Sequence, residues 1–287
     1  MTQETAPKST TRRHFLKVLA GSGLIVSTTM LPGLALAGQR FRPGLQLFTV
    51  RELMQQDARS TLQLIANLGY KELEFAGLFG HPASIVANWL ADLGLNAPAG
   101  HTLLQPLLDA PTKVLEEALT LGHRYVVLAY LHEHERANGI AGYLHLAEQL
   151  NRIGEQFQAA GVQLAYHNHD FEFVPTDGTT PYEVLLRHTN ANTLKMELDI
   201  YWAAKMQVDI PQLFQQDPGR FPLWHLKDMA ANGGFADLGQ GIIDFAPIAE
   251  KASLAGLKYA FVEKDHTDEL ERTLIQGMKS FTKMRFG

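Results

Sequence analysis

Two rhythms of apolar and polar positions take turns along the chain. Short, nearly continuous apolar runs occur at Leu45-Gln-Leu-Phe-Thr-Val50, Leu73-Glu-Phe75, Leu95 to His101, Tyr125-Val-Val-Leu-Ala-Tyr130, Leu164-Ala-Tyr166, Leu194 to Ile200, Leu223-Trp-His-Leu-Lys227 and Tyr259-Ala-Phe-Val-Glu263. Runs of this length predict strands buried on both faces. Between them, apolar residues return at helical spacing, as at Leu62, Ile65 and Leu68, at Trp89, Leu90 and Leu93, and at Leu146, Leu150, Ile153 and Phe157. Ser60 and Thr61 are expected to cap the first of these helices, and Gly69, Gly94 and Gly161 stop three of them. Further helices are expected through Val114 to Leu119, Pro181 to Leu186, Pro211 to Phe214, Phe245 to Leu254 and Glu269 to Phe281. The eight strands start near residues 45, 72, 95, 125, 162, 194, 222 and 258, so each interval of 23 to 37 residues holds one β-loop-α-loop unit. Strict alternation predicts a parallel sheet of the α/β class, and eight units predict closure into a single-domain (β/α)8 barrel. An open doubly wound sheet is the alternative. It commonly carries a glycine-rich loop after its first strand, and Phe48-Thr-Val-Arg51 is no such loop.

Several of these strands turn polar only at their C-terminal ends. The clearest case is Leu164-Ala-Tyr-His-Asn-His-Asp-Phe-Glu172, in which His167 and His169 share a face and Asn168 takes the other. Glu197 and Asp199 follow on the sixth strand, His225 and Lys227 on the seventh, Glu263 and Asp265 on the eighth, and Glu74 on the second. In a barrel these ends converge on one mouth, where such folds keep their chemistry. Two imidazoles and two carboxylates suit a divalent ion, Mn2+ foremost with Mg2+, Co2+ or Zn2+ as alternatives, and leave positions open for substrate oxygens. His132-Glu-His-Glu-Arg136 is expected to be a solvated loop, Gly239-Gln-Gly241 a turn rather than a phosphate site, and Trp202 either a stacking platform or a packing residue.

Composition narrows the picture further. The 287 residues include no cysteine, which excludes disulfides and thiolate metal sites. Apolar content of 46% and charged content of 19% are those of an ordinary globular chain. Residues 1–37 read separately. Thr11-Arg-Arg-His-Phe-Leu-Lys17 precedes an apolar run from Val18 to Leu31 and a small-x-small pattern at Ala35-Leu-Ala37. This segment resembles a bacterial twin-arginine export signal. It is short for a membrane anchor, and without cysteine it cannot be lipidated. Setting it aside removes Lys8, Arg12, Arg13, Lys17 and Glu4, so of 25 basic and 30 acidic residues 21 and 29 remain, a net charge of −8. Such a balance argues against nucleic acid as a partner, because phosphate affinity comes mainly from Lys and Arg.

Leu198-Asp-Ile-Tyr201, His225-Leu-Lys-Asp228, Leu238-Gly-Gln-Gly-Ile-Ile-Asp244 and Phe261-Val-Glu-Lys264 resemble the xylose-isomerase-like barrel family over roughly residues 44–285. The family holds sugar isomerases and epimerases, inosose dehydratase and a DNA-repair endonuclease. The resemblance implies a metal held by His167, Asp199, His225 and Glu263, where the epimerases have glutamate in place of His167. Their second glutamate base is therefore absent, and His169, Glu74 or Glu172 would have to supply the other proton-transfer group. The Tyr-His-x-His spelling is closer to the inosose-dehydratase branch.

The implied activity is enolisation of a small keto-sugar or polyol beside a metal-held carbonyl. Glu263 would be ligand and base, His169 a second acid/base, and Lys227 a polarising group. Loss of a β-substituent, giving a dehydratase or lyase of the inosose-dehydratase or 3-keto-glycoside type, is the alternative outcome. A non-catalytic sugar binder is the alternative of another class. The endonuclease reading is disfavoured by the acidic balance and by Trp202, which stands where that enzyme has a metal histidine. The expected partners are a small sugar and the twin-arginine machinery, in the periplasm, with no stable membrane anchor; a homo-oligomer is compatible with this reading.

Replacing Arg12 and Arg13 by lysine is expected to leave the protein unprocessed in the cytoplasm. Cell fractionation with immunoblotting checks this, and undiminished processed protein in the periplasm would refute the signal.

Overall fold

The computed structural model describes residues 41–287; the expected export signal, residues 1–37, lies outside them. Eight parallel strands close into a barrel: β1 (Gly44–Gln46), β2 (Glu72–Phe75), β3 (Asn96–Thr102), β4 (Tyr125–Leu128), β5 (Gln163–His167), β6 (Leu194–Asp199), β7 (Leu223–Leu226) and β8 (Tyr259–Val262). Closure is made where Gly44 and Leu45 of β1 pair with Phe261 and Val262 of β8. Outside run α1 (Arg51–Asn67), α2 (Ala83–Leu93), α3 (Pro111–Leu121), α4 (Gly139–Ala159), α5 (Pro181–His188), α6 (Ile210–Gln216), α7 (Ala252–Ala255) and α8 (Leu270–Phe281), with further short helices such as Leu104–Asp109 and Ile200–Lys205 between. This is the expected (β/α)8 architecture, and among the described residues no helix is long and apolar enough to cross a membrane.

The side-chain period of two sorts the strands into an outside and an inside. Outward residues such as Leu164, Tyr166, Leu198, Trp224 and Leu226 pack under the helices in the main core. Ala99, Val127, Ala165, Leu223 and Phe261 form a separate apolar layer inside the barrel, with Tyr125 and Tyr259 packed against it. Gly44 leaves room for the Phe261 ring, whose Cδ1 would lie 2.8 Å from a Cβ at that position. Above this plug the inward residues turn polar, which sets a chemical floor on an apolar base.

Three local details differ from the expectation. The first strand stops at Gln46 because its side-chain Oε1 accepts the Phe48 N–H (2.9 Å), starting a 3-10 turn over Leu47–Val50. Helix α1 therefore starts at Arg51, with a kink at Asp57, whose carboxylate accepts the Ser60 N–H (2.9 Å); Asp57 caps the second segment, and Ser60 and Thr61 lie inside it. The span expected to be helical from Phe245 to Leu254 is two short turns, Ala246–Ala249 and Ala252–Ala255.

Helix α4 seats its buried face, Tyr143, Leu146, Ala147, Leu150, Ile153, Gly154 and Phe157, against the barrel. Gly154 lies so close to the chain leading into β6 that a Cβ there would come within 2.7 Å of the Thr193 carbonyl oxygen. Backbone cannot yield as a side-chain tip can, so Gly154→Val is expected to lower stability by about 1–3 kcal/mol, as other overpacking substitutions do. Urea unfolding followed by circular dichroism measures this, and an unchanged midpoint would show that the helix is not held at that distance.

Candidate functional site

The floor of the mouth is assembled by strand register. Parallel pairing sets His167 of β5 beside Glu197 of β6, and Asp199 of β6 beside His225 of β7. The ladder extends past β5 through a side chain: Asn168 Oδ1 accepts the Asp199 N–H (3.0 Å) and its Nδ2 donates to the Asp199 carbonyl (3.3 Å). Asn168 thus turns away from the two histidines, as the alternation predicted, and works as one more rung of the sheet.

His225 stands at the centre. Its Nδ1 lies 2.7 Å from Glu263 Oε2 and 3.8 Å from Asp199 Oδ2, while its Nε2 lies 2.5 Å from Glu74 Oε2 and 3.2 Å from Glu197 Oε2. His101 Nε2 is 2.8 Å from Glu197, His167 Nδ1 is 3.2 Å from the same oxygen, and Gln46 donates to Glu74 at 2.7 Å. Two donor groups result, one of Asp199, His225 and Glu263 and a deeper one of His101, His167, Glu197 and His225, with donor atoms within 4.8 Å of one another in each. Of the four expected ligands, His225 belongs to both groups and His167 to the deeper one, its Nε2 being 4.0 Å from Asp199. Buried imidazoles and carboxylates are the donors a divalent cation takes. Glu74 Oε1 and Glu197 Oε1 are buried without a hydrogen-bond partner. The residues therefore fit a divalent ion.

Charge explains why so many acids tolerate burial. Burial alone would strip Lys227 of its proton, but Asp199, Glu263 and Asp265 lie 2.9, 2.8 and 2.7 Å from its Nζ and hold it charged. Burial would likewise neutralise His225, yet Glu197, Glu263 and Glu74 raise its pKa well above the ordinary histidine value. His101 behaves the same way against burial, raised to about 9 by Glu74 and Glu197. In return, burial would protonate Glu263 and Glu197, but Lys227 and His225 hold the first, and His225 and His101 the second, well below the carboxylate range. His169 is the contrast: burial first, then Lys227, pushes it down to about 4, so it is neutral at physiological pH.

Above the floor opens a cavity of about 790 Å3, lined among others by Phe48, Tyr130, His167, His169, Phe171, Trp202, Lys227, Glu263 and Asp265. Expected residues His169, Lys227 and Glu263 thus reach the space where a substrate would sit. Glu74 does not line it and lies behind His225. Glu172 is also withdrawn, accepting the Tyr166 hydroxyl (2.7 Å) and the His169 N–H (2.7 Å), so it shapes the turn that presents His169. Trp202 stands at the wall, 5.5 Å from His169, and His132 and His134 lie outside the lining. Gly239-Gln-Gly241 is the turn expected: the N–H groups of Met229, Gly239, Gly241 and Ile243 all point at the buried Asp228 carboxylate at 2.8 to 3.3 Å. A Cβ on Gly241 would run into that carboxylate and the Met229 carbonyl. His101 and Gln46 complete the floor without having been expected. Their signal is the one used elsewhere, a polar inward residue at the C-terminal end of a strand.

Comparison with curated proteins finds no match. Among solved structures, a sugar phosphate isomerase/epimerase from Parabacteroides distasonis superposes with a TM-score of 0.72 at 24% identity, covering 88% of this chain and 99% of that one. A zinc-binding IolI protein aligns with a TM-score of 0.62 at 18% identity over 85% of this chain and 96% of its own. An L-ribulose 3-epimerase aligns with a TM-score of 0.59 at 17% identity over 84% and 93%. At these identities the likeness shows the shared fold. The family model described as xylose isomerase-like TIM barrel matches residues 50–283, and the chain belongs to that family.

Proposed function

We propose that the protein is a metal-dependent isomerase or epimerase that enolises a small keto-sugar or polyol. The observation that carries this reading is the position of Glu263, which belongs to a cation-binding donor group and also lines the cavity. Asp199, His225 and Glu263 would hold the ion, with His167 beside them. When bound, a divalent ion supplies Lewis acidity to a carbonyl and its neighbouring hydroxyl. Likeness to a zinc-binding IolI protein supports a metal without naming the ion, for which Mn2+ is our first choice.

Glu263 is ionised at neutral pH and takes the proton from the carbon next to the carbonyl. Lys227, which lowers the basicity of Glu263, also offers its charge to the oxygen on which negative charge builds. His169 presents Nδ1 buried and unpartnered, and its ring stacks on Phe171 and meets Tyr130 edge-on. As a neutral imidazole it can accept a proton and return it. Return of the proton to the neighbouring carbon, with the hydroxyl proton passed to the former carbonyl oxygen, gives isomerisation, and protonation of the same carbon from the opposite face gives epimerisation. A second reading, elimination, rests on Asp265. Burial, together with Glu263, raises its carboxyl to about 6 despite Lys227, and it lines the cavity, where it could protonate a leaving β-substituent. We further propose that the protein is exported already folded and loaded, since metal binding is coupled to folding and loading in the cytoplasm avoids competing periplasmic zinc and copper.

Metal-loaded protein is expected to exchange a substrate α-proton with solvent deuterium, read by NMR across a panel of keto-sugars. Glu263→Gln is expected to slow this by about 10²–10⁴-fold. Absence of exchange with every sugar of the panel would sink the enolisation reading.

Metal affinity should rise with pH. His225 carries a proton in the metal-free protein, and coordination needs the neutral ring, so one proton leaves per ion bound. The apparent affinity is expected to increase about tenfold per pH unit between roughly pH 6 and 8. The metal-free fold shows the opposite trend: the contribution of His225 is complete below its unfolded pKa of about 6.5 and is lost as pH rises through the higher folded value. Competition with a fluorescent chelator at several pH values checks the first trend. A flat profile would remove His225 from the ligands.

A further inference from the structure

The mouth has charges and surfaces that select among sugars. We infer that it is built for an uncharged sugar ring and rejects sugar phosphates; this rests on the sugar-enzyme reading and adds the substrate class.

Consider first what would bind a phosphate. Among the described residues, Lys227 is the sole Lys or Arg lining the cavity, and its ammonium is already within 2.9 Å of three carboxylates. Nearby cations are engaged elsewhere. Lys205 pairs with Asp170 at 2.9 Å and lies over Trp202, Arg51 donates to the Phe48 and Asp265 carbonyls at 2.8 Å each, and Arg136 stacks on Phe171. The other usual phosphate device is a nest of backbone N–H groups. The barrel has one, in the loop around Gly239-Gln-Gly241, and the protein's own Asp228 carboxylate fills it with four hydrogen bonds.

Consider next what repels it. Glu74, Glu197, Asp199, Glu263 and Asp265 gather at the floor, and Lys227, His225 and His101 are already paired with them. A phosphate dianion entering here would be desolvated beside carboxylates whose cations are already engaged.

The walls supply what a neutral ring needs. Trp202 and Tyr130 line the cavity with aromatic surface for the C–H side of a sugar, and Phe48 and Phe171 add apolar edges. Trp202 Nε1 and His169 Nδ1 are buried without a partner, 5.5 Å apart between ring centres, and each has a hydrogen bond to give to or take from a hydroxyl.

The test is saturation-transfer NMR on the metal-loaded protein with matched probes: the methyl glycosides of glucose, galactose and mannose against the corresponding hexose 6-phosphates. At least one neutral glycoside is expected to bind about tenfold or more tightly than its phosphorylated counterpart, and excess inorganic phosphate should not displace it. Trp202→Ala should weaken that binding by about tenfold, and Trp202→Phe, which keeps an aromatic face and loses the Nε1–H, by less than that. Equal or tighter binding of a sugar phosphate, displacement by phosphate, or binding of no neutral probe would each overturn the inference. Failure here is distinct from failure of the enolisation reading. Neutral sugars that bind without α-proton exchange would remove the chemistry and keep the specificity, and exchange seen on a sugar phosphate would do the reverse.

Discussion

Keeping several carboxylates dry in one small space is the constraint on which the site depends. An isolated buried carboxylate would take up a proton rather than stay charged. Here each acid on the floor faces a cation, and His225 of β7 and Lys227 just past its end provide most of that charge. Glu74, withdrawn from the cavity, is held by Gln46 and lies 2.5 Å from His225 Nε2. Removal of any single member would leave buried charge uncompensated, and such losses are larger than the worth of one ion pair. In the metal-free protein, protons on His225 and His101 supply the positive charge that a bound ion would otherwise bring.

Much of this was legible from side-chain period alone. The strand starts fell within one or two residues of the expectation because fully buried parallel strands read as compact apolar runs. His167, Asp199, His225, Lys227 and Glu263 were legible because each ends an apolar strand with a reactive side chain. His101 was not, since its strand, Asn96-Ala-Pro-Ala-Gly-His-Thr102, is built of small residues that leave space inside the barrel and carry weak strand propensity. Gln46 was hidden for another reason: its side chain closes a turn that the apolar run Leu47-Phe-Thr-Val50 disguises as strand. The split of donors into an upper and a deeper group depends on ring orientation, which no one-dimensional pattern encodes.

The loop after β7 shows how one buried acid can organise a long connection. Four N–H groups converge on Asp228, and the hairpin of Asp228–Met229 with Phe235–Ala236 carries Phe235 to Tyr201 and Trp202 at the mouth. Farther along, Asp237 accepts from Thr273 and pairs with Lys264, each at 2.7 Å, tying the same connection to α8 and to the end of β8. A glycine pair that reads as an anion-binding motif is in this chain a fastening, and the difference lies in one residue eleven positions upstream of the first glycine.

Asn168 has a wider implication for how the site tells ions apart. Because its side-chain amide grips both backbone groups of Asp199, the ends of β5 and β6 stay at a fixed spacing one rung beyond the last main-chain pair. That flank of the site is a fixed jaw. On the other flank His225 is fixed in the β7–β8 ladder, while Glu263 stands one residue past it on a longer side chain than Asp199, so any travel falls to the side-chain torsions of these two. Differences in ionic radius would therefore be absorbed on the β7–β8 side, and selectivity among ions of equal charge becomes a question of how far those two residues can swing before they lose contact with Glu74 and Lys227.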